Sequence, residues 1–146
     1  MTRTLFLANL ASTLFMTGVI WFVQIVHYPL FGSVGADGFA AYEQAHSSRT
    51  SWVVLPPMLV EALTALLLVL HPDPAVPRGV AWAGLALVAL IWLSTFFWQV
   101  PRHALLAGGF DPAAHRFLVL SNWARTAAWT ARAVLLLAVA SPRSPT

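Results

Sequence analysis

Apolar residues fall into four long runs, Leu5–Phe31, Trp52–Leu70, Gly79–Val100 and Phe117–Ala140, separated by shorter polar or Pro/Gly-rich stretches. About 20 mostly apolar residues in a helix cross the hydrocarbon core of a bilayer, and each run meets or nearly meets that length. A buried helix of a water-soluble bundle would show a charged face opposite its apolar stripe, and none of these runs has one. The pattern predicts an all-α fold: a four-helix up-and-down transmembrane bundle, one domain over residues 1–146, with helices at about 5–31, 52–70, 79–100 and 113–140. The first run is too long for the h-region of a signal peptide and no convincing small-residue cleavage site follows it, so it reads as a retained helix.

The connections differ in character. His71–Arg78 is a short Pro-rich turn, and the chain closes on a polar Ser-Pro-Arg-Ser-Pro-Thr tail. Both lie on the N-terminal side of the bundle. The opposite side is richer. Gly32–Ser51 is long enough for a short extra helix in this first long loop, with Asp37 as its N-cap. In Ala104–Arg116, Gly108-Gly109 is a stop signal, and Asp111-Pro112 supplies the cap and first residue of the last helix. Arg3, Arg78 and Arg143 on one side balance Arg49, Arg102 and Arg116 on the other, so the count of basic residues near span ends ties. The expectation is a multi-pass integral membrane protein of a bacterial inner membrane with both termini cytoplasmic.

Polar residues inside the apolar runs carry the functional information, because polar groups in lipid are costly and face the bundle interior. They line up at helical spacing. Asn9, Thr13, Gln24 and His27 share a stripe in the first run; Pro57, Glu61 and Thr64 in the second; Trp92, Thr95, Gln99 and His103 in the third; Asn122, Arg125, Trp129 and Arg132 in the fourth. In a helical first loop, Phe39, Tyr42, His46 and Arg49 share a face. Counting depth at about 1.5 Å per residue gathers four of the five histidines, with Glu61 and Arg125, toward the loop-rich side. His71 lies at the other end.

Composition narrows the chemistry. The chain is 59% hydrophobic and 9% charged, far from the roughly 45–50% and 25% of a soluble domain. It has no cysteine, which excludes disulfides, thiolate metal sites and thiol–quinone redox chemistry. All eight basic residues are arginine and the net charge is +3. They are scattered and two sit in an apolar run, which argues against nucleic acid as a partner.

Glu61 and Arg125 are expected to pair and tie the second helix to the fourth, since each charge needs a partner in low dielectric. Arg132 has no acid placed to meet it and is expected to snorkel or to bind an anion. His27, His46 and His103, with Glu61 as fourth ligand or base, are candidate ligands for zinc, copper or iron; each comes from a different element. The alternative for these histidines is an interfacial role at headgroup level. His27 and His103 on two helices at similar depth also meet the axial requirement of a haem b. Gln24, Tyr42, Gln99, Asn122, Trp123 and Trp129 are the candidate substrate-lining residues, with a cation–π role for the tryptophans. His115 and Asp111 read as loop-surface residues.

Gln24-Ile-Val-His27-Tyr-Pro29-Leu-Phe31, Tyr42-x3-His46-x2-Arg49, Gln99-Val-Pro101-x-His103 and Asn122-Trp-x-Arg125-Thr-x2-Trp129-x2-Arg132 together resemble a small bacterial family of four-helix membrane proteins, mostly of unknown function and distantly similar to anthrone-oxygenase-like membrane proteins. The resemblance covers nearly the whole chain. It implies a four-helix bundle and, more loosely, oxidation of an aromatic or quinone-like substrate, with no cofactor or catalytic residue attached.

The residues predict a membrane-embedded, metal-dependent oxidoreductase or oxygenase acting on a lipophilic small molecule at one membrane face. Arg49 and Arg125 would stabilise developing negative charge there, with Glu61 as proton shuttle. Two other readings use the same stripes: a small-ligand or proton-coupled transport module, which in so short a chain calls for homo-oligomers, and a structural subunit whose polar residues are interhelical glue.

Overall fold

The computed structural model describes residues 2–141. The polar C-terminal tail beyond Ser141, with Arg143, lies outside them. Among the described residues the chain is helical, with no strand: α1 Arg3–Ser33, α2 Ala36–Leu70 and α3 Arg78–Leu106, then α4 Pro112–Ala140. α1 packs on α2 and on α4, and α3 packs on the same two helices.

α1, α2 and α3 are long and apolar enough to cross a membrane. α4 is 29 residues long but less apolar, because Asn122, Arg125 and Arg132 sit in its middle and Arg116 near its start. The polarity of the molecule is inverted relative to a soluble protein. Trp52 is 81% exposed and Phe97 71% exposed, whereas Asn9, Gln24, Glu43, Glu61, Asn122 and Arg132 are at most 2% exposed. This distribution is what a bilayer would favour, since lipid solvates the first kind of surface and disfavours the second.

The short extra helix expected in the first loop is not a separate element. It is the N-terminal part of α2, which runs unbroken from Ala36 to Leu70. The Ser47–Ser51 stretch reads as loop, but its hydroxyls find partners one turn back: Ser47 Oγ donates to Glu43 Oε1 at 3.0 Å and Ser51 Oγ to the Ser47 carbonyl at 2.7 Å. That local bonding satisfies the side chains without competing for the helix. Asp37 is not the N-cap. Gly35, at φ 73°, caps the helix, and Asp37 lies in its first turn. The positive φ is one that glycine adopts without strain.

The other cap is as expected. Gly109, at φ 140°, ends the turn after α3, and the Asp111 carboxylate accepts from the Ala114 amide at 2.7 Å with Pro112 in the first turn of α4. Asp111→Ala is expected to cost about 1 kcal/mol, read as a lower thermal midpoint of the detergent-solubilised protein.

α1 and α3 share a device that aims site residues. Each contains one π turn, Val23–His27 and Thr95–Gln99, and in each a proline follows two residues later, Pro29 and Pro101. Proline lacks an N–H and its ring crowds the carbonyl four residues back. Widening the preceding turn by one residue relieves that crowding. It also rotates everything downstream by about 100°, which turns Tyr28 and His103 toward the interior. π turns of this kind are frequent at functional sites.

Candidate functional site

Two buried polar networks occupy the interior, and they differ in one respect. The deeper is complete. Glu61 Oε1 accepts from Arg132 Nε at 2.9 Å and from Thr13 Oγ1 at 2.7 Å, and Glu61 Oε2 accepts from Trp129 Nε1 at 2.9 Å. Arg132 donates further to Asn9 Oδ1 and Thr13 Oγ1, both at 3.2 Å, and to the Gly84 carbonyl. Asn9 Nδ2 returns to the Glu61 carbonyl at 3.1 Å and to Thr64 Oγ1 at 2.8 Å. All four helices contribute. A Cβ on Gly84 would lie 3.3 Å from Arg132 Nη1, so the absence of a side chain there lets the guanidinium reach α3.

This corrects the expected pairing. Glu61 pairs with Arg132, not Arg125, and Arg132 is not without an acid. Glu61 is therefore committed to holding the helices together and is not among the groups that could hold a metal.

The second network lies toward the loop-rich ends of the helices and is incomplete. His103 Nδ1 is 2.6 Å from Glu43 Oε1, and Tyr28 Oη is 2.9 Å from His103 Nε2. His27 Nε2 lies 2.8 Å from His46 Nδ1, which is also 3.1 Å from Thr50 Oγ1. One ligand atom from each of Glu43, His46 and His103 falls within 4.8 Å of the others. A cavity of about 270 Å³ opens beside them, lined by Tyr28, His46, Thr95, Gln99, His103 and Arg125, with hydroxyls of α2. Among the described residues, buried side-chain atoms without a hydrogen-bond partner are Glu43 Oε2, Gln99 Oε1, Arg125 Nε and Ser94 Oγ. The first three belong to the cluster or to the wall of this cavity. Orphaned polar atoms in low dielectric cost stability and call for a missing partner.

Neither a family model nor a curated protein nor a solved structure matches this chain.

Glu43 is the residue the stripe reading passes over. It is fully buried, and Glu43-x2-His46 sits at i, i+3 on one helix, so two of the three candidate ligands come from a single element. The spacing is visible in the sequence, but the stripe of Phe39, Tyr42, His46 and Arg49 leaves Glu43 out, and the expectation that every ligand comes from a different element overlooks this Glu-x2-His pair. His27 is outside the three-residue group and bonds His46 instead. The His27 and His103 rings do not frame a slot for a macrocycle, because both pack on His46, with ring centroids 4.7 and 5.2 Å away.

The expected lining residues divide. Gln99 lines the cavity, as does Arg125, expected there as a charge-stabilising residue. Tyr42 stacks on His46 with an interplanar angle of 11°. Gln24 and Asn122 form a bridge behind it: Asn122 Nδ2 donates to Gln24 Oε1 at 2.9 Å, Arg125 Nη1 donates to Asn122 Oδ1 at 3.3 Å, and Gln24 Nε2 donates to the Val119 carbonyl at 3.2 Å. The Arg125 guanidinium lies 5.2 Å from the Trp129 ring centroid, the expected cation–π contact, although Trp129 otherwise serves the Glu61 network. Trp123 is not a lining residue. It is 44% exposed and meets Trp21 edge-on at 5.8 Å on the outer face. Arg49 is also exposed and faces a different cavity. His115 is half-buried; its Nε2 reaches the Tyr28 carbonyl at 2.7 Å and props the end of α1 against α4.

Proposed function

We propose that this chain is a membrane-embedded, metal-dependent oxidoreductase or oxygenase, its helices forming an up-and-down four-helix transmembrane bundle with the reaction site open toward one membrane face. The observation that carries the reading is the contrast between the two networks. The deeper one satisfies every charge and accounts for helix association. The one around the cavity leaves Glu43 Oε2, Gln99 Oε1 and Arg125 Nε unpartnered, as a site does when part of its bonding is supplied by a ligand. Two imidazoles and a carboxylate suit zinc, copper or iron, and a buried carboxylate oxygen with no donor is the group a cation would satisfy. Glu43, His46 and His103 would hold the ion, which would supply Lewis acidity or, for copper or iron, electron transfer.

The chain's own residues do the rest. Thr50 Oγ1 can accept from His46 Nδ1–H, which would fix the tautomer whose Nε2 lone pair is free as a ligand. Arg125 presents fixed positive charge to the cavity, where a developing oxyanion would be stabilised in a water-poor site. Val54, Val100 and the Tyr28 ring give the cavity apolar surface for a lipophilic substrate. The resemblance to anthrone-oxygenase-like proteins points toward an aromatic or quinone-like one.

A second reading rests on a specific geometry. Glu43 at 2.6 Å from His103 Nδ1 and Tyr28 Oη at 2.9 Å from Nε2 form a carboxylate–imidazole–phenol chain. The carboxylate holds the proton on Nδ1, and Nε2 can then accept the Tyr28 proton, so Tyr28 would serve as acid or base without a metal. Elemental analysis of protein purified without chelators separates the two. The metal reading expects about one transition-metal ion per chain, lost in His103→Ala. A wild-type protein that stays metal-free after incubation with zinc, copper(I) and iron(II) would sink it and leave the proton relay.

A further inference from the structure

A second cavity lies outside the first. It is an apolar groove of about 480 Å³ between α1 and α2, open to the outside of the protein. That volume is within the roughly 300–1,000 Å³ of small-molecule sites. Gly18, Val19 and Phe22 form one wall and Val53 and Val54 the other. Polar groups enter only at the loop-side end, where His27, Arg49 and Thr50 line it. Gly18 lies nine residues from His27, about 13 Å deeper at 1.5 Å per residue, so the groove runs from a charged mouth into the hydrocarbon. A Cβ at Gly18 would meet nothing within 4 Å: the groove is deepened by a missing side chain that packing does not require.

The groove is coupled to the metal cluster by shared residues. Thr50 and Val54 line both cavities, and His27, at the groove mouth, bonds His46 at 2.8 Å. Arg49 makes no ion pair among the described residues. A single guanidinium at the end of an apolar channel matches a single negative charge: its fork binds a carboxylate in two parallel bonds, and one cation against one anion leaves no excess charge at the membrane edge.

We infer that this groove binds a lipophilic carboxylic acid that enters sideways from the bilayer, its tail along Gly18 and Phe22 and its carboxylate on Arg49 beside His27. Resting on the enzyme reading above, this narrows its lipophilic substrate to one that carries a single carboxylate, aromatic or not, whose head group is delivered next to His46.

The test uses the full chain in nanodiscs of zwitterionic lipid, with spin-labelled stearic acid as probe and its methyl ester as control. The immobilised component of the EPR spectrum counts bound probe. The acid should saturate at about one per chain, and the ester should bind about tenfold or more weakly, as should the acid to Arg49→Gln, since a charge-assisted pair is lost. A Cβ at Gly18 meets nothing within 4 Å, so Gly18→Phe can place its ring in the groove and should abolish saturable binding. Equal binding of acid and ester, which is what an ordinary lipid chain in the groove would give, overturns the proposal; so does wild-type binding by Gly18→Phe. Metal content of the same samples separates the two readings. Metal-loaded protein with no Arg49-dependent binding overturns the groove alone, and metal-free protein that binds the acid overturns the metal centre alone.

Discussion

Arg132→Met is expected to destabilise the folded chain by about 3–5 kcal/mol, because it leaves the Glu61 carboxylate charged and unpaired in the interior. Glu61 is 2% exposed and Arg132 1% exposed, so water cannot replace the lost partner. Individual hydrogen bonds between helices in lipid contribute far less, on the order of 0.6 kcal/mol, so the uncompensated charge and not the lost donors sets the magnitude. The decisive comparison is with Glu61→Gln/Arg132→Met. The glutamine carbonyl can still accept from Thr13 or Trp129, and no charge remains, so most of the lost stability should return. SDS titration in mixed micelles, followed by tryptophan fluorescence, reports the midpoint for each. Single and double variants with the same midpoint would show that the pair is not what ties α1, α2, α3 and α4 together.

The helices were legible because their signal is additive along the chain. Long apolar runs, the Gly108-Gly109 stop and the Asp111 cap are local features, and the structure uses the last two as read. The stripes also point inward: Asn9, Thr13, Glu61, Thr64 and Arg132 converge as a set. What the stripe cannot give is which member meets which. Arg125 and Arg132 lie on one face, seven residues or about 10 Å apart along α4, and the choice between them for Glu61 depends on how far the helices slide past one another. Two π turns also shift the count in α1 and α3, and periodicity at 3.6 residues has no term for them. The helical continuity of α2 was hidden for a different reason. Its hydroxyl-rich Ser47–Ser51 stretch has the composition of a loop, and only the i−4 bonds of Ser47, Thr50 and Ser51 show how it stays helical. Glu43 belongs to none of the stripes, although it ends up more deeply buried than any histidine of the cluster.

Glu43→Gln gives the largest expected effect at the cavity, and its two consequences have opposite signs. The amide keeps the shape and one acceptor oxygen, so His103 Nδ1 can still donate to it and Ser47 can still bond it. The negative charge is gone. A neutral amide is a poor partner for a transition-metal ion, and loss of a partner that only orients a ligand already costs about 10–100-fold in metal affinity; loss of a charged ligand itself should exceed about 100-fold. In the metal-free protein the balance reverses. Glu43 is fully buried with Oε2 unpartnered, an expensive state for a carboxylate, and replacing it by an uncharged group removes that expense. The metal-free variant is therefore expected to unfold at the same temperature as wild type or higher, while added metal raises the wild-type midpoint and leaves the variant unmoved. A differential scan of both proteins with and without metal reads all four values. If Glu43→Gln lowered the metal-free midpoint as much as Arg132→Met does, Glu43 would be a structural ion-pair partner of a charged His103, and the incompleteness of the upper network would no longer point to a bound ion.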